Sequence, residues 1–129
     1  MNIKFTTLAW SRDSGYQSAT ETVIDNLEQW NNLWQLHTCN AEPSPLVPQV
    51  DFARYSVAAV FAGEQPNSGY SVEILSVEAR GEKEQPAIVI TVQYRQPQPR
   101  EFVIRELTYP NHIIKIPKID RNNVTFRRA

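Results

Sequence analysis

Arg54 to Ala62 reads RYSVAAVFA, a run that carries no charge after its first residue and presents apolar side chains on both alternating faces. A strand with one wet face alternates apolar and polar residues, whereas one apolar on both faces has to be covered on both. The run therefore predicts a central strand, ended by Gly63, lying beneath a helix. That helix is legible upstream. Asn26 to His37 reads NLEQWNNLWQLH, and Leu27, Trp30, Leu33, Trp34 and His37 recur at spacings of three and four, one apolar stripe on about eleven residues. Asn26 is a good N-cap, Gln29 is placed to reach back to it as in a capping box, and Asp25 and Glu28 suit the positive helix end.

Further toward the start, Asn2 to Trp10 reads as a strand with Ile3, Phe5, Thr7 and Ala9 on one face. Ser14-Gly15 supplies a turn, and the β-branched residues of Ala19 to Ile24 predict a second strand. Between helix and central strand, Cys39 to Gln49 (CNAEPSPLVPQ) carries prolines at 43, 45 and 48, which predicts an extended surface connection. Downstream the pattern is all β. Pro66-Asn67-Ser68-Gly69 is a turn, and Tyr70 to Ala79 alternates with a phase change at Leu75 that predicts a β-bulge. Ala87 to Tyr94 returns after a charged hairpin turn around Gly81, so these two strands and the central one are expected to form a meander. Glu101 to Ile104 reads as a short strand and His112 to Ile116 as another. Asn122-Asn123 predicts a tight turn after which Val124 to Arg127 folds back in a last hairpin.

The fold class expected is α+β, mainly antiparallel β. It has six or seven strands, in a sheet containing a meander or in a sandwich or partly open barrel, with one amphipathic helix (about 26–37) packed on it. At 129 residues the chain suits a single domain, 1–129. Its 41% apolar and 21% charged residues argue against disorder, and no apolar run reaches the ~20 residues of a membrane helix. The expectation is a soluble protein with no membrane association. One cysteine, Cys39, excludes an internal disulfide framework, and Met1 to Trp10 has none of the marks of a secretory signal, so a cytoplasmic location is expected. The net charge of -1 is split: residues 1–106 carry 8 basic and 13 acidic side chains, residues 107–129 carry 5 and 1.

No phosphate loop, zinc pattern, nucleophile elbow or EF-hand loop is present, so no metal, cofactor or catalytic set is expected and the chain reads as a non-enzyme. The scattered candidates are His37, Cys39, Asp51 and His112, no two of which share a ligand spacing on one element. His37 reads as the end of the helix's apolar face, where a cation suits the C-terminal dipole. Cys39 lacks the context that activates a thiol. Asp51, in Val50-Asp51-Phe52, reads as a cap for loop amides. Trp30, Trp34, Tyr55, Phe61 and Tyr70 could line a pocket, but their spacing reads as core. Lys115, Lys118 and Arg121 form a basic corner, with Arg127 and Arg128 at a frayed end; an acidic total argues against nucleic acid.

Taken together, several of these features resemble the protease complex subunit PrcB family. They are Glu28-x-Trp30-x-x-Leu33-Trp34-x-x-His37, the proline-rich loop into Val50-Asp51-Phe52, the strand to Gly63, the turn Ser68-Gly69-Tyr70 with Ser71-Val72, and Thr108-Tyr109-Pro110 with Ile113 to Pro117. The resemblance spans about Val23 to Lys118, with Ser68 standing where a second glycine is common in the family. It implies a small non-catalytic module, an accessory subunit of a protease complex, and it supplies no catalytic residues.

The function expected is thus a non-catalytic accessory or protein-interaction domain. It would bind a protein or peptide partner through a sheet edge, the turn Ser68, Gly69 and Tyr70, or the basic corner Lys115, Lys118 and Arg121. Trp30, Trp34, His37 and Asp51 are its structural motif. The alternative is a small-molecule-binding domain or weak hydrolase, which requires Asp51, His37 and His112 to converge near an aromatic pocket.

Overall fold

The central strand is covered on both faces, and the rest of the architecture follows from that. The computed structural model describes residues Met1 to Ala129. Seven strands and one α-helix run in the order β1 (Thr6–Ser11), β2 (Thr20–Ile24), α1 (Leu27–His37), β3 (Tyr55–Phe61), β4 (Ser71–Arg80), β5 (Ala87–Arg95), β6 (Asn111–Pro117) and β7 (Val124–Arg128). They form a four-stranded sheet, β1-β6-β3-β2, and a three-stranded sheet, β4-β5-β7. Ser56 to Phe61 of β3 are all 0% exposed. Val57, Ala59 and Phe61 face α1 with Trp30, Leu33, Trp34 and Ile113, while Ala58 and Val60 face the second sheet with Ile74, Ile90, Val92 and Ile114. The result is three layers, helix on sheet on sheet, an α+β fold in which the sheets do not close into a barrel.

The bulge expected at Leu75 is present: the β4–β5 register shifts between Ile74 and Ser76, which turns Val72, Ile74 and Val77 all inward and leaves Leu75 outside. The expected meander is not. β3 pairs with β2 and β6, and only β4 and β5 form a hairpin. A strand as apolar as β3 is best placed in the middle layer, which an edge-to-edge run with β4 would not provide. The last hairpin is also corrected: a 3-10 turn at Arg121–Asn123 sends β7 to the other sheet, where it pairs parallel to β5. Arg127 and Arg128 are therefore not frayed; Arg127 Nη2 donates to Thr91 Oγ1 at 3.2 Å, and the Arg128 guanidinium stacks 4.6 Å from the Tyr94 ring centroid. Glu101 to Ile104 forms no strand.

The expected first strand, Asn2 to Trp10, is divided between the sheets. Met1 and Ile3 hydrogen bond to Ala79 and Val77 of β4, and only from Thr6 does the chain join β6, with a register shift between Thr7 and Ala9. Asn26 caps α1 by accepting from the Gln29 amide at 2.8 Å, but Gln29 does not close the box; its Oε1 accepts from Arg121 instead. Leu27 at 59% exposure falls outside the buried stripe. The proline-rich connection is held from below: Trp30 Nε1 donates to the Pro48 carbonyl at 2.8 Å and Trp34 Nε1 to that of Pro45 at 3.0 Å.

Candidate functional site

Where α1 ends, Gly15 lies so close to the helix that a Cβ there would collide with the Leu36 carbonyl oxygen, and its amide donates to the His37 carbonyl. That contact seats Ser14 against His37, with 2.8 Å between Ser14 Oγ and His37 Nδ1. The imidazole is 8% exposed and packs at a tilt on Trp34 and Phe61. Burial holds its pKa below the ordinary histidine value, so the cation expected at the helix terminus is corrected to a neutral ring. Beside it opens a cleft of about 440 Å³ lined by Ser11, Asp13, Ser14, His37, Asn40 and Tyr109 among others.

His112 belongs to a different layer. It is 2% exposed, its Nδ1 accepts from the Ile74 amide at 2.8 Å, its Nε2 meets Thr7 Oγ1 at 2.9 Å, and Trp10 stacks on the ring. Accepting from an amide leaves Nδ1 unprotonated, so the proton sits on Nε2. Desolvation lowers its pKa to about 4. Asp51 lies on the exposed approach to β3, where Oδ1 accepts from the Ala53 amide at 3.0 Å and its carbonyl from those of Arg54 and Tyr55. His37, His112 and Asp51 are therefore not brought together: none hydrogen bonds to another, and each is engaged by its own surroundings. The convergence that the hydrolase alternative needs is contradicted. Trp30 and Phe61 are completely buried as core rather than lining a pocket. Cys39 is exposed and unpaired.

At the opposite end of α1, the Lys115 ammonium lies 4.5 Å and the Arg54 guanidinium 5.7 Å from the Tyr55 ring centroid. Lys118 Nζ donates to the Phe52 carbonyl at 2.6 Å, and Arg121 Nη1 reaches Gln29. The ion pairs of the structure lie elsewhere, Arg80 with Glu78 and Arg95 with Glu101. Lys115, Lys118 and Arg121 thus share a region, each tied to a neutral oxygen or ring.

The turn at Ser68, Gly69 and Tyr70 is not a free tip. Gly69 is buried, and a Cβ there would lie 2.5 Å from Pro97 Cβ and 2.8 Å from Val103 Cγ1. Ser68 clasps Ile104 twice: its amide donates to the Ile104 carbonyl at 3.0 Å, and its Oγ accepts from the Ile104 amide at 2.7 Å. The hydroxyl of Ser68 thus has a local task. Gln65 and Thr108 exchange backbone bonds, Thr108 Oγ1 donates to the Asn67 carbonyl, and Arg95 pairs with Glu101. Tyr70 contributes its carbonyl, which accepts from Arg12 Nε.

What the turn holds is the segment 96–107, and this is the feature that the sequence reading missed. Phe102 is 91% exposed, with Ile104 at 56% and Leu107 at 57%. In an extended backbone alternate residues point the same way, so with Val103 packed on Gly69, Phe102 and Ile104 point to solvent. The available signal was EFVIREL just after Gln-Pro-Gln-Pro-Arg: a short apolar alternation whose neighbouring prolines deny it a ladder partner.

This clasped loop and the strands β3 to β6 lie within the span that comparison picks out. Residues 56–117 match the family model described as PrcB C-terminal. The PrcB resemblance is therefore shown over that segment, while α1 and Asp51 lie outside it. The PrcB C-terminal span contains both partners of the clasp, Ser68 and Ile104, and both faces of the middle sheet's central pair, β3 and β6. No curated protein and no solved structure matches the chain. The helix is too short and too polar to cross a membrane, and no other helix of the fold is long and apolar enough.

Proposed function

We propose that this chain is a non-catalytic accessory domain that binds a protein partner, with the loop 96–107 as its contact surface. The carrying observation is a loop that displays Phe102, Ile104 and Leu107 to solvent while its backbone is pinned by Ser68, Gln65 and the Arg95–Glu101 pair. Large apolar side chains held outward in one place mark interaction sites, and a pre-ordered loop loses little conformational entropy on docking. The match to PrcB C-terminal supports a partner within a protease complex. The exposed thiol of Cys39 fits a reducing compartment, and we place the protein in the cytoplasm.

Affinity capture from native extract tests the reading, with wild type beside Phe102→Ser/Ile104→Ser. One partner held by wild type and lost by the double variant, both folded by circular dichroism, is the expected result. Wild type recovered alone as a stable monomer, or a partner retained equally by both, counts against it.

A further inference from the structure

The segment 101–105 has one unpaired backbone edge, and its residues match themselves. Ile104 turns both its amide and its carbonyl to Ser68. In extended backbone the amide and carbonyl of the next residue point to the opposite edge, and those of Val103 make no hydrogen bond within the chain. Beside this free edge Phe102 and Ile104 share one face and lie 91% and 56% exposed, while Val103 packs on Gly69. Glu101 and Arg105 flank them. Arg105 is exposed and has no ion pair; Glu101 holds Arg95 through Oε1 and leaves Oε2 unused.

A free strand edge is completed by another strand. The order Glu101-Phe102-Val103-Ile104-Arg105 selects its own copy. Laid antiparallel about a two-fold axis at Val103, it sets Glu101 opposite Arg105 and Phe102 opposite Ile104 on both sides of the axis, and the next pair outward, Arg100 with Glu106, is again opposite in charge. An axis at Phe102 sets Glu101 against Val103 and Arg100 against Ile104. An axis at Ile104 sets Val103 against Arg105 and Phe102 against Glu106. Parallel pairing in register puts glutamate beside glutamate and arginine beside arginine. Of these arrangements only the first matches every pair. The backbone picks the same centre independently, because Val103 is the middle residue of the segment and its unpaired amide and carbonyl can be exchanged with those of a copy.

We propose that two copies of this chain associate through antiparallel pairing of residues 101–105 about Val103. Phe102 and Ile104 of both copies then form one apolar cluster, and each Arg105 guanidinium meets the unused Oε2 of Glu101 across the axis. The contact is small, which makes the association weak and reversible. The inference rests on the loop 96–107 being a contact surface, and it assigns a second copy as what covers that surface in the purified protein.

Sedimentation velocity of the purified full chain from about 10 μM to about 1 mM, a range suited to weak association, tests this. Wild type is expected to pass from monomer to dimer. Arg105→Glu, which sets two carboxylates opposite each other at both ends of the paired segment, is expected to raise the dissociation constant about tenfold, and Glu101→Arg to do the same with two guanidinium groups. An equimolar mixture of the two variants has opposite charges at both ends again and is expected to associate as wild type does. Because Glu101→Arg also gives up the Arg95 pair, a second measurement leaves the charges in place. In a Cys39→Ser background, Phe102→Cys mixed with Ile104→Cys is expected to form the mixed disulfide faster than either variant forms its own, since opposite positions lie within bridging distance and diagonal ones do not. A wild type that stays monomeric throughout, single charge variants that dimerise as wild type does, or a mixture that neither associates nor favours the mixed disulfide overturns the proposal. A monomeric wild type that still captures a partner through Phe102 and Ile104 overturns the self-pairing alone and leaves the accessory-domain reading standing; a dimeric wild type that captures nothing does the reverse.

Discussion

His112 is the residue whose surroundings say most about how the two sheets are joined. Its ring spans them, taking the Ile74 amide on Nδ1 and meeting Thr7 on Nε2, so both nitrogens are spent on structure. Protonation would turn Nδ1 into a donor facing a donor, in a site where desolvation already lowers the pKa to about 4. The folded pKa is depressed relative to the unfolded chain, so this histidine's contribution is complete above about pH 6.5 and is lost as pH falls toward about 4. Thermal melts between pH 7 and pH 4 are expected to show the midpoint falling across that window. In His112→Asn, whose carbonyl oxygen can accept from Ile74 without titrating, the slope is expected to be shallower; an unchanged slope would mean that His112 does not report on this pH range. His37, lowered for the same reason, adds to the slope in the same direction.

At the scale of elements, the clearest dependency is between the turn 66–70 and the loop 96–107. Gly69 lacks a Cβ because Pro97 and Val103 occupy that space, and neither can withdraw without moving the backbone of the loop. Gly69→Ala is expected to cost about 1–3 kcal/mol by urea denaturation and to speed tryptic cleavage at Arg100 and Arg105; cleavage at the wild-type rate would show that the loop is not held by this contact. The helix and the proline-rich connection are coupled in the same way. Trp30 carries both the core packing and the bond to Pro48. Trp30→Phe is expected to lose about 1 kcal/mol for the hydrogen bond, and Trp30→Ala about 3–5 kcal/mol for the cavity, a spread that equilibrium unfolding of the two variants measures directly.

Across the whole molecule, the two sheets are laced together most heavily along one side. On the laced side, Met1 and Ile3, the Trp10 indole, Arg12 and His112 all bond to the backbone of β4 or the residue before it. The opposite edges of the two sheets are β2 and β7, and here Tyr94 OH of β5 donates to Glu21 of β2 at 2.7 Å. β7 covers the edge of β5 and half-buries Val124 and Phe126 against the inter-sheet core. Removal of residues 124–129 is expected to lower stability by about 3 kcal/mol, from two apolar side chains returned to water, and to promote self-association through the freed β5 edge. Urea unfolding and light scattering check the two effects; a truncated chain as stable as the full one would place β7 outside the cooperative core.

Much of this was legible in residues read one element at a time. The helix stripe Trp30, Leu33, Trp34 and His37, the Asn26 cap, the doubly apolar β3 and the phase change at Leu75 depend on local periodicity and local hydrogen bonding, which a sequence displays directly. The choice of partner for each strand was not legible, because β-pairing is made between residues far apart in the chain and several apolar strands can satisfy one another's edges. Hence the meander and the last hairpin, read from chain order, gave way to β3 beside β6 and β7 beside β5. For the same reason the exposed faces were misjudged: EFVIREL is apolar enough to be a strand, and only the absence of a neighbour on its outer side leaves Phe102 in water. Sequence alone determined the helix and its cap, the doubly apolar central strand, the bulge and the α+β class, since each is legible from local periodicity and local hydrogen bonding. The tertiary structure alone decided that Asp51, His37 and His112 lie apart, that Ser14 meets His37, and that Ser68 secures the loop, since each depends on where distant segments are carried by the packing of the two sheets.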